Sequence, residues 1–318
     1  MREVAARWPE TTMSNRWWIY QRERFPIFAH SPIILAFSLS AVSYSALLRG
    51  ATALPGWKPC AVAFGCAFLT FLQLRLADEF KDFEEDSLYR PYRPVPSGLI
   101  RLRELAWVWA GCVALQLALA LWLAPRLVYL LAITWMYLGL MSKEFFVGRW
   151  LKARPILYMV THMAIMPLVD TFTTACDWVP KGYSRPPRGL LWFILVSFFN
   201  GIVLEIGRKI RSPSDEETGV ETYSFLWGRR NAIVAWLGAM TTTAGLAVAA
   251  AVGIGFGVPA MVLLGAPLLC AGLLGARFLR AGTPGFGKHI ETMSGVWSLI
   301  LYLSLGVIPI ALRYGWHP

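Results

Sequence analysis

Charge is scarce in this sequence. Of its 318 residues only 15% are Asp, Glu, Lys or Arg, where a soluble domain carries about a quarter. With 56% hydrophobic residues, the composition excludes an ordinary soluble fold. Cysteine is sparse too: Cys60, Cys66, Cys112, Cys176 and Cys270 make no Cys-x-x-Cys pair and fall mostly within apolar runs. That excludes a disulfide framework or a zinc site and leaves them as small apolar side chains. The histidines His30, His162, His289 and His317 show no metal-ligand spacing. The polar stretch up to about Phe25 lacks the short apolar core and small-residue cleavage site of a signal peptide, so none is expected.

What is present is hydrophobic runs of membrane-spanning length. Segments of about 20 apolar residues lie near 27–48, 60–77, 105–124, 127–142, 155–177, 188–207, 231–253, 257–276 and 293–312. The expectation is an all-α integral membrane protein of nine spans, one domain over 1–318, with residues 1–25 a polar cytoplasmic segment. Alternate connections collect 22 Lys and Arg on one side against seven on the other. By the positive-inside rule this places the N-terminus in the cytoplasm and the C-terminus outside, in the cytoplasmic membrane. The net charge of +11 is then a topology signal and calls for no nucleic acid.

Acid is the rarer charge, 19 residues against 30 basic ones, yet it is concentrated at one membrane boundary. Asp78, Asp82 and Asp86 stand four apart in ADEFKDFEEDSLYRPYRPVPSG, directly after the second span. On a helix each step of four turns the carboxylate by only about 40°, so all three share one face over roughly 12 Å. Like charges so arranged repel unless a cation lies among them. Glu79, Glu84 and Glu85 face elsewhere. Pro91, Pro94 and Pro96 stop the helix, and Arg90 and Arg93 ride on the stiff tail. Mg²⁺ favours a few carboxylates completed by phosphate oxygens, so acids with arginines nearby suit a metal–diphosphate complex. The plainer reading is a solvated, salt-bridged helix end.

A second charged connection follows the sixth span. Asn200 and Glu205 lie at depths where polar groups face a bundle interior or a wet cavity. Arg208, Lys209 and Arg211 follow, then Asp215. Guanidinium forks and a lysine point charge suit phosphate; positive-inside charge is the plainer account. Lys143, with Tyr137 nearby at the end of the fourth span, could reach a phosphate, although a topology lysine explains it as well. Fifteen Trp, 11 Tyr and 18 Phe serve interface belts and packing; a few lining a cavity could face a cation.

Taken together these residues resemble the UbiA superfamily of intramembrane prenyltransferases. The family's first signature is an Asn-Asp start, further acids four and eight residues on, and an Arg-Pro-Leu-Pro-Ser-Gly tail. Asp78, Asp82, Asp86 and Arg93-Pro94-Val95-Pro96-Ser97-Gly98 match it, with Ala77 at the place of the leading Asn. In the second signature Asp215, Gly219, Thr222 and Gly228 fit. Gly207 and Arg211 occupy acid positions, and with a small shift Glu205 replaces one acid and Lys209 stands for another.

The resemblance implies a helical bundle around a central cavity with cytoplasmic helical caps. It implies Mg²⁺-dependent ionisation of an isoprenyl diphosphate and attack by a lipophilic, in some members aromatic, acceptor. Carried over, it makes Asp78, Asp82, Asp86 and Glu205 catalytic, and these with Asp215 the metal ligands. Arg90, Arg93, Lys143, Asn200, Arg208, Lys209 and Arg211 become diphosphate contacts. A terpene cyclase on the same scaffold is the alternative, and a non-enzymatic transport or ion-binding protein the third reading.

Overall fold

The structure is a computed structural model, and it describes residues 13–51 and 53–314. Arg2 and Arg7 of the polar N-terminal segment and His317 lie outside the described residues. All regular structure among the described residues is helical.

A short helix, α1 (Met13–Arg24), leads into α2 (Ile27–Leu48), α3 (Trp57–Lys81), the cap helix α4 (Phe83–Tyr89), α5 (Leu102–Leu123) and α6 (Leu127–Ser142). The chain continues through α7 (Gly148–Lys152), α8 (Pro155–Met163), α9 (Ile165–Trp178) and α10 (Leu190–Arg208). Last come α11 (Tyr223–Trp227), α12 (Arg229–Val252), α13 (Gly257–Ala281), α14 (Gly287–Leu305) and α15 (Val307–Tyr314). In lipid the backbone must satisfy its own hydrogen bonds, and long apolar helices do that.

Among the described residues eight helical stretches are long and apolar enough to cross a membrane, α8–α9 and α14–α15 each counting as one. The sequence expectation is nine. The difference is α6: its 16 residues reach about 24 Å at 1.5 Å per residue, short of a hydrocarbon core of about 30 Å. The crossing helices and α6 pack in chain order, and α14 returns to α2, so the bundle closes into a ring. The closure depends on Gly306, where a Cβ would lie 2.3 Å from the Cα of Ser40.

At one end of the bundle Asp177, with a side chain 1% exposed, takes hydrogen bonds from Arg49 Nε and Nη2 and from the Ser45 hydroxyl, each at 2.8 Å. This ties α2 to α9. Arg49→Ala would leave a buried carboxylate short of its main partner, a loss of about 3–5 kcal/mol; thermal unfolding in detergent should show it as a large drop in midpoint.

The opposite end carries the two charged connections, which follow α3 and α10. They are latched together. Gly219 has φ +77°, and a Cβ there would stand 2.5 Å from the Tyr89 ring. Nearby, the Tyr92 hydroxyl donates to Glu217 at 3.3 Å. Gly219→Ala is therefore both strained and sterically blocked, and should separate the connections, seen as faster proteolysis between residues 209 and 222.

Candidate active site

The end of α3 is bent. The helix stops at Lys81, and Asp82 takes φ −97° and ψ 7° before α4 begins. The expected single face of three aspartates is corrected by this bend, and the three meet different fates. Asp78 and Asp82 keep side chains 34% exposed. Their partners are distant: Arg75 at 3.4 Å and Lys81 at 3.7 Å for Asp78, and Lys81 at 4.0 Å for Asp82. Burial raises the Asp82 carboxyl above the usual range, opposed by Lys81 and reinforced by Asp78, Asp86 and Glu85.

Asp86 is enclosed instead, with a side chain 2% exposed. It meets Arg93 Nη1 at 2.7 Å, Arg90 Nη2 at 2.9 Å and Arg24 Nη2 at 3.7 Å. Arg24 also bonds Glu79, which is buried. Arg90 and Arg93 thus hold an internal carboxylate, and the arginine tail serves as the clasp of α4. Here two expected diphosphate contacts, Arg90 and Arg93, are paired with Asp86, an expected metal ligand.

Opposite α3 stands the end of α10. Glu205 is buried and bridges Arg208 at 2.5 Å and Lys209 at 3.0 Å. Both cations keep an open side, 49% and 37% exposed. Arg208 lies within the field of Asp78, which brings the two motifs face to face. Tyr223 sits under Lys209, the ammonium 5.6 Å from its ring centroid. Lys81 completes the α3 side: its ammonium donates to the Tyr158 hydroxyl oxygen at 2.8 Å.

The departure at Gly207 has a steric cause. A Cβ there would lie 2.1 Å from Ser294 Oγ and 3.2 Å from Trp236 Nε1, and Trp236 Nε1 donates to that same hydroxyl at 2.9 Å. No carboxylate fits against this contact. Gly207→Asp should destabilise the fold by several kcal/mol, through overpacking and a buried charge, read as loss of the folded species in size-exclusion chromatography.

Three other expected residues lie apart. Asp215, an expected metal ligand, accepts the Gly285 N–H on Oδ2 at 2.7 Å and pins the turn between α13 and α14. Arg211, an expected diphosphate contact, donates to Glu217 at 3.0 Å and to the Asp215 carbonyl at 3.3 Å. Asn200 lies deeper, donating to Tyr302 at 3.4 Å and accepting from Ser298 at 3.1 Å. Lys143 lines a cavity of about 240 Å³ with Ala77, Phe80, Lys81, Trp109 and Ser142. The sequence reading missed Arg24, Glu79, Arg75, Lys81 and Tyr158. Arg75, a charge inside an apolar run, was the signal available. Thr222, from the Gly-x-x-Thr element, caps α11 by accepting the Phe225 N–H at 3.1 Å.

Among the described residues no three His, Cys, Asp or Glu side chains gather as a metal cage. Two open carboxylates nonetheless match a Mg²⁺ ion that retains water and takes phosphate oxygens. The facing Arg208 and Lys209 match the phosphates themselves.

A sequence model of the UbiA prenyltransferase family matches residues 35–285. No curated protein sequence matches the chain. Among solved structures, the apo form of a UbiA homologue from Aeropyrum pernix aligns with TM-score 0.66 at 16% identity, over 87% of this chain and 96% of that one. A UbiA homologue from Archaeoglobus fulgidus bound to DMAPP and Mg²⁺ aligns with TM-score 0.54 at 12% identity, over 89% and 99%. A digeranylgeranylglyceryl phosphate synthase aligns with TM-score 0.54 at 15% identity, over 93% and 99%. At these identities the likeness is one of fold.

Proposed function

We propose that this chain, which belongs to the UbiA prenyltransferase family, moves an isoprenyl group from its diphosphate to a lipophilic acceptor inside the membrane. The observation that carries this reading is the pairing of two open carboxylates, Asp78 and Asp82, with two half-open cations, Arg208 and Lys209. Such a constellation binds a diphosphate through metal on one side and directly on the other. The positive-inside count supports a cytoplasmic location for this end.

The reaction needs the allylic carbon–oxygen bond to break with its electron pair passing to diphosphate. A bond then forms from the acceptor to the freed carbon, and the acceptor releases a proton. Mg²⁺, held by Asp78 and Asp82, would supply neutralisation of the charge that grows on the leaving group. Arg208 and Lys209, already oriented by Glu205, offer fixed donors to the same charge and need little reorganisation. Lys81, braced by Tyr158, adds a third cation beside the acids. The surrounding bundle keeps water from the allylic cation.

With one acid and two bases at the second motif, this reading gives metal binding mainly to the first motif. Lys209→Asp should weaken Mg–pyrophosphate binding by about tenfold or more, measured by calorimetry; tighter binding with retained turnover would count against a direct contact. The decisive assay incubates purified protein with Mg²⁺ and allylic diphosphates of several lengths. Diphosphate release that requires an added acceptor supports transfer. Release without acceptor, with a cyclic product, would establish the cyclase instead, and no turnover across acceptors and lengths would leave a binding protein.

A further inference from the structure

Lys81 stands at an unusual distance from the two acids beside it. Its ammonium lies 3.7 Å from Asp78 and 4.0 Å from Asp82, beyond the direct ammonium–carboxylate contact of about 2.7–2.9 Å. The flexible four-carbon stem does not impose that gap, and the i, i+3 position on α3 puts Asp78 within reach. What holds the ammonium back is the Tyr158 hydroxyl oxygen, to which it donates at 2.8 Å.

Tyr158 is itself held in place. His162, one turn further along α8, stacks on its ring, with centroids 3.9 Å and planes 17° apart. His162 Nδ1 meets the Tyr158 carbonyl at 2.8 Å. A carbonyl only accepts, so Nδ1 carries the proton and this bond orients the imidazole. Phe145 packs edge-on to His162 at 6.3 Å and to Tyr137 at 5.5 Å. The Tyr137 hydroxyl donates to the Thr161 carbonyl at 2.7 Å. The stack thus joins α6, the turn after it and α8.

That turn is strained. Glu144, Phe145 and Phe146 have φ 48°, 53° and 61°, three successive non-glycine residues in left-handed backbone. Such strain persists only where the surroundings hold it, and it clusters at functional sites. Here buried Glu144 meets Lys152 at 3.6 Å, and a Cβ at Gly148 would lie 2.3 Å from Glu144 Oε2. The product of the strained turn is a phenyl ring seated in the stack.

We propose that Tyr158 is a positioning residue of the acidic pair. It keeps Lys81 beside Asp78 and Asp82 but off their oxygens, so the ammonium offsets their mutual repulsion while the oxygens stay open to Mg²⁺. The proposal rests on the reading of Asp78 and Asp82 as the metal ligands. Phe145 and His162 act one step further out, by fixing the Tyr158 ring. Released from Tyr158, the lysine closes on the aspartates and competes with the metal.

The test uses the full chain in detergent and Mn²⁺ alone as the probe, its free fraction read by electron paramagnetic resonance. Tyr158→Phe keeps the ring and removes only the oxygen. It should weaken Mn²⁺ binding by about 10–100-fold, the usual effect of losing a group that orients metal ligands. In a Lys81→Met background the same substitution should change nothing, because the competing ammonium is gone. His162→Leu leaves the hydroxyl but frees the ring, and should give a smaller loss that also vanishes in that background. Should Tyr158→Phe fail to fold, the His162→Leu comparison decides. Unchanged Mn²⁺ binding in the Lys81-containing variants would overturn the proposal. So would a loss of equal size with and without Lys81, which would make Tyr158 a metal ligand or a packing residue. In either case wild-type binding of Mn²⁺ leaves the metal reading of the acids standing. A wild type that binds no Mn²⁺ would overturn both together.

Discussion

Asp86→Ala is expected to cost about 3–5 kcal/mol of stability, while Mg–pyrophosphate binding by the folded fraction changes only a few-fold. The carboxylate is 2% exposed and lies among Arg24, Arg90 and Arg93. Removing it leaves Arg24, itself only 6% exposed, with Glu79 alone, and frees the clasp that holds α4 against the bundle. Uncompensated buried charge is the costly outcome, larger than the net worth of the original pairs. Asp86→Asn should fall between, since it keeps the shape and one acceptor oxygen but loses the charge. Thermal unfolding in detergent gives the stability, and calorimetry below the transition gives the ligand affinity. An Asp86→Asn protein that unfolds normally and cannot bind Mg–pyrophosphate would make Asp86 a metal ligand and the clasp an error.

That distinction could not be read along the chain. Asp78, Asp82 and Asp86 are identical residues at one spacing, and local sequence treats them alike. What separates them is the bend at Asp82 and the arrival of Arg24 from α1, a partner remote in sequence. The spans were legible because an apolar run near 20 residues has one stable solution in lipid. The length of α6 was visible too, but whether 16 apolar residues span is decided by thickness and tilt, not by composition. The second motif was legible as a departure and not as a cause: only the contact of Gly207 with Ser294 and Trp236 shows why an acid is excluded. The cavity beside Lys143 was hidden because its walls come from three helices, and its lysine reads as ordinary positive-inside charge.

Asp78→Asn and Asp82→Asn are each expected to lower turnover about 10²–10³-fold, the loss typical of one charge-stabilising group, with little change in stability. Both side chains are a third exposed and only loosely paired, so neutralising them relieves repulsion and exposes no buried charge. Their losses should not multiply in the double variant, because two ligands of one ion act as a unit. Arg208→Met supplies the contrast. It should weaken pyrophosphate even without Mg²⁺, whereas the aspartate variants should abolish only the Mg²⁺-dependent increment. Titrating each variant with pyrophosphate in Mg²⁺ and in EDTA separates the two effects. If Arg208→Met lost only the Mg²⁺-dependent part, the arginine would act by holding Glu205 as a metal ligand, and the division of labour between the two motifs would have to be reversed.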